Sequence, residues 1–251
     1  GGEQEVPHDV KRVVIDRSVK IIPAWAFARR GQLVSVKFHD GVERIEMNAF
    51  YGCDSLIRLK LLGVREVARD AFIYCTGLTD LVGNKLEIIR KHAFKACQSL
   101  QKTKMTSVRV IEDYGFLNCN HLTEVELPDL ERIEPNAFYG CSALWRIAIP
   151  LKDNMFPIDT IQERYTQFDH CRNLTTVDLV GGIHNIISSL LLQRWTDDMN
   201  SMIDRINQVL PNTPASGKTV VIQYCIQTVL RRIEHYRIEH RSLLKEATTL
   251  L

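Results

Sequence analysis

Apolar residues recur with a fixed period through most of the chain. Phenylalanine is found after one step of 23 residues and then four steps of 22, at Phe27, Phe50, Phe72, Phe94, Phe116 and Phe138. A cysteine stands three residues after the phenylalanine at Cys53, Cys75, Cys97, Cys119 and Cys141, and a leucine six residues after it at Leu33, Leu56, Leu78, Leu100, Leu122 and Leu144. A repeat of about 20 to 50 residues with conserved apolar spacing is typical of a solenoid. The pattern therefore predicts stacked coils in which the phenylalanines form one column.

Each repeat contains three segments with different hydrophobic patterns. In the second repeat, residues 42–46 (VERIE) form a short apolar-polar stretch of extended character. Residues 48–56 (NAFYGCDSL) place their apolar members on one side of a short helix or turn. Residues 56–61 (LIRLKL) alternate apolar and polar positions, which predicts a strand. Residues 11–16 (KRVVID) supply a lone strand, so residues 10–18 are a half-repeat at the start of the solenoid.

The repeated pattern I..xAFxxCxxLxxVxLP resembles that of BspA-type leucine-rich repeats, and the resemblance covers residues 10 to about 180. It implies an α/β solenoid, right-handed, with a parallel sheet on one face. It also implies a non-enzymatic protein-protein interaction module, because this type of repeat is a binding scaffold. The first repeat departs from the pattern by having Arg30 where cysteine is usual.

The repeat is interrupted once before it ends. Phe138 and Phe168 are 30 residues apart, so we place an insertion at residues 151–165 and the last repeat at 166–180. Insertions in solenoids emerge as loops, often on a functional face. We favour a covering flap that shields the last coil with Met155, Phe156 and Ile158. The alternative is a binding site on this insertion.

The tail, residues 181–251, has a helical rather than a 22-residue period. One series of apolar positions spaced by three and four comprises Leu192, Trp195, Met199, Met202, Ile206 and Val209, and a second comprises Ile226, Val229, Ile233, Tyr236, His240, Leu243 and Ala247. The breaker LPNTPASG at 210–217 separates them, which predicts an antiparallel helical hairpin. We expect the hairpin to cap the solenoid of residues 1–180. Alternatively, residues 185–250 pair with a second copy as a homodimer or scaffold.

Composition excludes some partners. The 251 residues include 32 Lys+Arg and 30 Asp+Glu, a net charge of +2, without the basic excess expected of a nucleic-acid binder. The sequence has no apolar run of about 18 residues, so we expect no membrane span. The first residues, GGEQEVPHDV, show no secretory signal. We therefore expect an intracellular protein, cytoplasmic or nuclear.

Six of the seven cysteines, Cys171 included, occupy one repeat position. A free cysteine in an apolar pattern behaves as a small buried hydrophobe, so we expect reduced core thiols. Zinc sites usually pair cysteines about two to four residues apart, and these cysteines are not so paired. We predict no metal, no cofactor and no catalytic residue. The alternative is an enzyme with a site near 151–170, built from Asp153, Asp159, Glu163 or His170.

The remaining candidate site is the outer surface of the predicted sheet. Polar residues that alternate with buried strand residues face outward and form ladders across coils. The candidate protein-binding residues are Lys37, His39, Arg58, Lys60, Asp80, Lys102, Lys104, Glu124, Glu126 and Arg146. The middle of this ladder is basic and the next coil is acidic, which favours a partner of complementary charge.

Overall fold

The computed structural model describes residues 6–156, 166–180 and 193–249, with side chains of residues 197–238 in the last range. The chain forms a parallel β-solenoid of about six turns, followed by a pair of helices. Strands of successive coils lie side by side, so residues one repeat apart in the sequence become neighbours in space.

One face of the solenoid carries the longer strands, and we call it the long-strand face. A five-stranded parallel sheet contains β1 (Arg12–Val14), β3 (Ser35–Lys37), β5 (Arg58–Lys60), β7 (Asp80–Val82) and β9 (Lys102–Lys104). A three-stranded parallel sheet continues the face with β11 (Glu124–Glu126), β13 (Arg146–Pro150) and β14 (Thr176–Val180). The alternating pattern thus gives the predicted strands, and the middle residue of each three-residue strand faces the core.

A second parallel sheet forms the other face, which we call the short-strand face. Its strands are β2 (Ile21–Ile22), β4 (Arg44–Ile45), β6 (Glu66–Val67), β8 (Ile88–Ile89), β10 (Val110–Ile111) and β12 (Arg132–Ile133). The second residue of each strand is buried, as at Ile45 and Val67. The segment predicted as extended in each repeat is this strand.

The segment predicted as a short helix or turn is a turn. Asn48 and Gly52 have φ angles of 56° and 64°, in the left-handed region that interrupts an α-helix. Every second amide in this segment donates to the next coil: Phe50 N–H to the Ala71 carbonyl at 2.8 Å and Gly52 N–H to that of Ile73 at 2.9 Å. Tyr51 N–H donates instead within its own coil. The turns therefore form a third hydrogen-bonded ladder between coils, which an α-helix could not provide.

The predicted phenylalanine column is present. Neighbouring rings from Phe27 to Phe168 have centroids 4.9–5.9 Å apart and interplanar angles of 3–15°. Phe50, Phe72 and Phe94 are fully buried in one continuous core. Stacking of equivalent rings follows from the repeat, because each coil seals the apolar interior of its neighbour.

The cysteines form a second column with a specific contact. The Cys75 thiol lies 3.2 Å from the Phe50 carbonyl of the preceding coil and donates to it. Equivalent contacts of 3.0–3.3 Å recur for the other five repeat cysteines. Arg30 takes this position in the first full coil, which has no phenylalanine carbonyl before it. Its guanidinium donates to the carbonyls of Val6 and Ala28, closing that end of the solenoid.

Part of the predicted insertion continues the winding. Ile133 N–H donates to the Met155 carbonyl at 2.9 Å, so Met155 occupies the place of the next short strand. Met155 and Phe156 are buried, and the Phe156 ring meets Phe168 edge-on at 6.2 Å. The residues in excess of the repeat therefore fall between Met155 and Gln167. Ile158 lies outside the described residues.

The tail forms the predicted hairpin of α1 (Gln193–Val209) and α2 (Lys218–Thr249), joined by 3-10 turns at Leu210–Asn212 and Ala215–Gly217. Seven buried residues of this part belong to the solenoid core cluster: Met199, Leu210, Ile222, Ile226, Val229, Ile233 and Tyr236. Val209 is 53% exposed, so its assignment to the seam was wrong: the helix ends there and turns away. Leu192, and the side chains of Trp195, His240, Leu243 and Ala247, lie outside the description.

Polar groups also join the hairpin to the last coil. Lys218 is 1% exposed, and its Nζ donates to the carbonyls of Leu174 and Leu210. The Asn207 Oδ1 accepts the Val177 N–H of edge strand β14 at 2.9 Å. Asn207 thus takes the place of a further coil for the Val177 N–H, and Lys218 gives the buried Leu174 and Leu210 carbonyls a donor. The hairpin thus caps the solenoid.

Candidate protein-binding surface

The outward residues of the long-strand face form two columns because the strands pair in register. Arg58 is aligned with Asp80 and then with Lys102. Lys60 is aligned with Val82 and then with Lys104. The predicted binding residues on these strands therefore lie on one surface, at neighbouring-strand separations of about 4.8 Å.

The short-strand face is charged, but its charges pair from coil to coil. Arg90 contacts Glu66 at 2.8 Å and Glu112 at 2.6 Å. Arg109 contacts Glu131 at 2.6 Å, and Arg65 pairs with Glu87.

Two pKa shifts reflect this pairing. Hydrogen bonds to Glu66 and then Glu112 raise the pKa of Arg90. The Arg109 guanidinium lowers the pKa of the Glu131 carboxyl. A face with charges satisfied in this way offers little free charge to a partner.

The basic part of the long-strand face is different. Within the described part of the chain, Lys37, Lys60, Lys102 and Lys104 are exposed and have no ion-pair partner. Arg58 approaches Asp80 at 3.5 Å, and both side chains remain substantially exposed. A lysine held on a strand without a neighbouring carboxylate is available to pair with an acidic group of a binding partner.

The acidic residues beyond β9, in contrast, share one cation. Arg146 contacts Glu124 at 3.2 Å, Glu126 at 3.0 Å and Asp178 at 2.6 Å. Hydrogen bonding, first to Glu126, raises the pKa of Arg146. These four residues form a network of one guanidinium and three carboxylates, so this end of the face stays acidic, and the lysines make the face basic only over β3, β5 and β9.

His39 has a structural role. Its Nδ1 accepts the Gly41 N–H at 3.0 Å, which leaves Nε2 as the donor to the Asp16 carbonyl, also at 3.0 Å. The ring is half-buried and ties the loop after β1 to the next coil. We no longer expect it to be freely available to a partner.

A groove crosses the basic strands. It has a volume of about 350 Å³ and is lined by Ser35, Val36, Lys37, Phe38, Arg58, Lys60 and Leu62. Leu62 is 51% exposed, so the groove combines apolar surface with free cations.

The cysteines are buried thiols without a reactive environment. Cys53, Cys75, Cys97, Cys119, Cys141 and Cys171 are free and buried. Burial raises the pKa of Cys53 to about 12 and that of Cys97 well above its ordinary value. Thiols of this kind are poor nucleophiles and poor metal ligands. Within the described residues, no group of three or more His, Cys, Asp or Glu side chains could hold a metal ion.

The residues considered for an enzyme do not converge in the described part of the chain. Asp153 lines a pocket of about 250 Å³ between residues 152–156 and α2. His170 is not part of that pocket and packs against Tyr139, with ring centroids 4.6 Å apart. Asp159 and Glu163 lie outside the described residues.

Sequence reasoning missed the coil-to-coil ion pairs, although a signal was present. Arg65 and Glu87, like Arg109 and Glu131, are opposite charges 22 residues apart. In a solenoid this is one repeat, so they become neighbours. A search for opposite charges separated by one repeat would have identified the short-strand face as the one whose charges are paired. The cap residues Lys218 and Asn207 carried no comparable signal.

The stacked parallel strands, the phenylalanine column and the leucine positions define a leucine-rich-repeat solenoid. A family profile described as BspA type leucine rich repeat region matches residues 7–109 and 87–198, in six copies. The chain therefore belongs to the BspA-type leucine-rich repeat family.

Solved structures of bacterial leucine-rich repeat proteins are similar to this chain. The T. pallidum Leucine Rich Repeat protein is 29% identical, with 63% of this chain and 67% of that chain covered and a TM-score of 0.48. A leucine-rich repeat protein from Eubacterium ventriosum is 23% identical, with a TM-score of 0.43, and the match covers 51% of this chain and 42% of that one. The chain thus spans less than half the length of the second protein. A search of curated proteins found no match. In the described residues, no helix is long and apolar enough to cross a membrane.

Proposed function

We propose that this protein is a non-enzymatic protein-protein interaction module that binds its partner on the long-strand face. The observation that carries the proposal is the contrast between the two sheets. Arginine and glutamate pair across coils on the short-strand face, whereas Lys37, Lys60, Lys102 and Lys104 are unpaired on the long-strand face. Free charge on a rigid sheet supports steering and selection of a complementary surface.

The mechanism is presentation by a stiff scaffold. Strand ladders, turn ladders and the phenylalanine column fix the backbone before a partner arrives. Binding then costs mainly the ordering of lysine side chains, because the scaffold itself is pre-organised.

Affinity capture from an extract of the source organism tests this proposal. The double variant Lys102→Glu/Lys104→Glu reverses two free charges on the long-strand face. The control Lys20→Glu/Lys85→Glu makes the same charge change at exposed positions outside its strands. We expect the first variant to lose proteins that the wild type and the control both retain. Equal retention by all three would contradict the proposal.

A second candidate function is a scaffold that self-associates through the helices. It is favoured by exposed apolar residues on α2, namely Val220, Tyr224 and Ile238. Light scattering tests it with the surface variant Val220→Ser/Tyr224→Ser, which leaves the cap contacts in place. A dimeric mass that the variant reduces to a monomer would support it, and a monomeric wild type would exclude it.

We also propose that the protein works in a reducing, intracellular compartment. Each repeat thiol donates to a phenylalanine carbonyl, as Cys75 does to Phe50. A disulfide would remove the donating hydrogen and leave a buried carbonyl with one fewer partner. Fractionation of the source cells, with the thiols counted by alkylation under native and unfolding conditions, tests this.

A further inference from the structure

We propose that β1, β3, β5, β7 and β9 form the docking site for an extended acidic segment of a protein partner, with one large apolar side chain of that segment anchored in the groove of β3 and β5. This inference rests on the proposed function and specifies the partner's chemistry. It is drawn from the groove and from the order of charged and apolar residues along the long-strand face.

The groove supplies the place for the apolar anchor. Its walls are the outward side chains of β3 and β5, with Leu62 at one end and the Phe38 position beside it. Leu62 is 51% exposed although the preceding residue Leu61 is fully buried. Covering Leu62 removes apolar surface from water, which favours a partner side chain such as leucine or phenylalanine.

Lysine side chains lie beside this apolar surface, and the strand register gives their positions. Lys37 is aligned with the exposed Val14 of β1, and Lys60 with the half-buried Val82 of β7. Lys104 follows Val82 in the same column. A segment that crosses the strands from β1 to β9 would therefore meet an apolar residue, two lysines, a second apolar residue and a third lysine. In order, these are Val14, Lys37, Lys60, Val82 and Lys104.

The length of the surface sets the length of the segment. Five strands at separations of about 4.8 Å span roughly 19 Å, which an extended chain covers with about six residues at about 3.3 Å each. The segment is thus short enough to be a loop or tail of a partner. Glu124, Glu126 and Asp178 lie beyond β9, so acidic residues of the partner are favoured only over β1–β9.

Protein is a better fit than nucleic acid for this surface. The outward positions of β1, β3, β5, β7 and β9 carry no aromatic side chain on which a base could stack. Asp80 lies within the basic column and pairs with Arg58, which would repel a continuous phosphate backbone. The exposed Leu62 and Val14 match an apolar side chain and not a phosphate.

Fluorescence anisotropy with defined peptides tests the inference on the full chain. The probe is a labelled peptide of about eight residues, mainly glutamate, with one central leucine. One comparison peptide has alanine in place of the leucine, and another has glutamine in place of every glutamate. A labelled oligothymidylate and vesicles containing anionic lipid represent the other polyanions.

We expect the acidic leucine peptide to bind more tightly than each of the other four probes. Lys37→Glu/Lys60→Glu should weaken its binding by at least about tenfold, and Lys20→Glu/Lys85→Glu should change it by less than about twofold. Leu62→Ala should weaken it by about five- to tenfold and leave the alanine peptide unaffected. Thermal melts of the variants, which alter exposed positions, check that each is folded.

Four results would overturn the inference. The first three are equal binding of the glutamine peptide, tighter binding of the oligothymidylate or vesicles, and an equal loss in the Lys20→Glu/Lys85→Glu control. No binding of the acidic peptide would overturn it as well. Loss of captured proteins in Lys102→Glu/Lys104→Glu would then still support the proposed function with a partner of different chemistry.

Discussion

The cysteine column makes the stability of this protein strongly dependent on alkaline pH. Burial raises the pKa of Cys53 to about 12, and the pKa values of Cys75, Cys97 and Cys141 well above their ordinary value. Burial also raises the pKa of the two other repeat cysteines. In the unfolded chain a thiol has a pKa of about 8.5. A rise in pH therefore deprotonates the unfolded state first.

The sign and size of the effect follow from proton linkage. Because the folded pKa is raised, the thiols contribute full stability below about pH 8.5 and lose it as pH rises. At about pH 10 each unfolded thiol gains about 2 kcal/mol by ionising, so the upper limit for six thiols that stay protonated in the folded state is about 12 kcal/mol. That is comparable with the whole stability of a typical domain, about 5–15 kcal/mol. Burial lowers the pKa of Lys218, which acts in the opposite direction, but one amine offsets at most one thiol.

Urea unfolding followed by far-ultraviolet circular dichroism, in reducing buffer from about pH 7 to pH 10, measures this effect. The limiting slope for six thiols is about 8 kcal/mol per pH unit, at about 1.4 kcal/mol per proton. Cys97→Ser is the matched variant, because serine can still donate to the Phe72 carbonyl but does not titrate. For this variant, the free energy of unfolding should fall less steeply with pH, by about 1.4 kcal/mol per pH unit, because one fewer proton is released. A free energy of unfolding that stays constant up to pH 10 would refute the reasoning, as would alkylation of the six repeat thiols in the native protein at pH 9; Cys225 is partly exposed and is not part of this test.

Other predictions concern the column and the two ends. Phe94→Ala should cost about 3–5 kcal/mol in urea unfolding, because neighbouring coils cannot close around the hole, and a loss below 1 kcal/mol would contradict a packed column. Lys218→Met keeps the stem but leaves the Leu174 and Leu210 carbonyls without its donors, and should cost about 2–3 kcal/mol, whereas an unchanged midpoint would show that the cap does not need the ammonium. Arg30→Ala should open the first coil locally, seen as faster amide exchange in residues 12–22 with exchange near residue 94 unchanged; equal acceleration in both regions would argue against an end cap.

The functional surface was only partly predictable from the sequence. Lys37, Lys60, Lys102 and Lys104 are exposed on one face as expected, because strand alternation decides which side chains point outward. Which charges are free was not predictable in the same way. Glu124 and Glu126 have the same pattern as the lysines, yet both contact Arg146. The result depends on neighbours one coil away and on Asp178, which follows the interruption of the repeat.

The cap shows a similar limit. The spacing of Met199, Ile226 and Val229 predicted helices with apolar seams, and these residues do enter the core. Val209 shares that spacing and is exposed, since the chain turns into a 3-10 segment at Leu210. The periodicity predicts that a helix has an apolar side. It does not predict at which residue the contact between that side and the rest of the protein ends.

The sequence by itself determined the winding of this protein, because a constant step of 22 residues places equivalent side chains above one another whatever their surroundings. From that step came the phenylalanine column, the buried thiols and the direction of each strand residue. Only the tertiary structure decided the left-handed turns that link the coils, the use of Arg30 and Lys218 to close the two ends, and the pairing of charges on the short-strand face while four lysines of the long-strand face stay unpaired. These features depend on which backbone groups and side chains a neighbouring coil or helix leaves unsatisfied, and that is a property of the assembled solenoid and not of any single repeat.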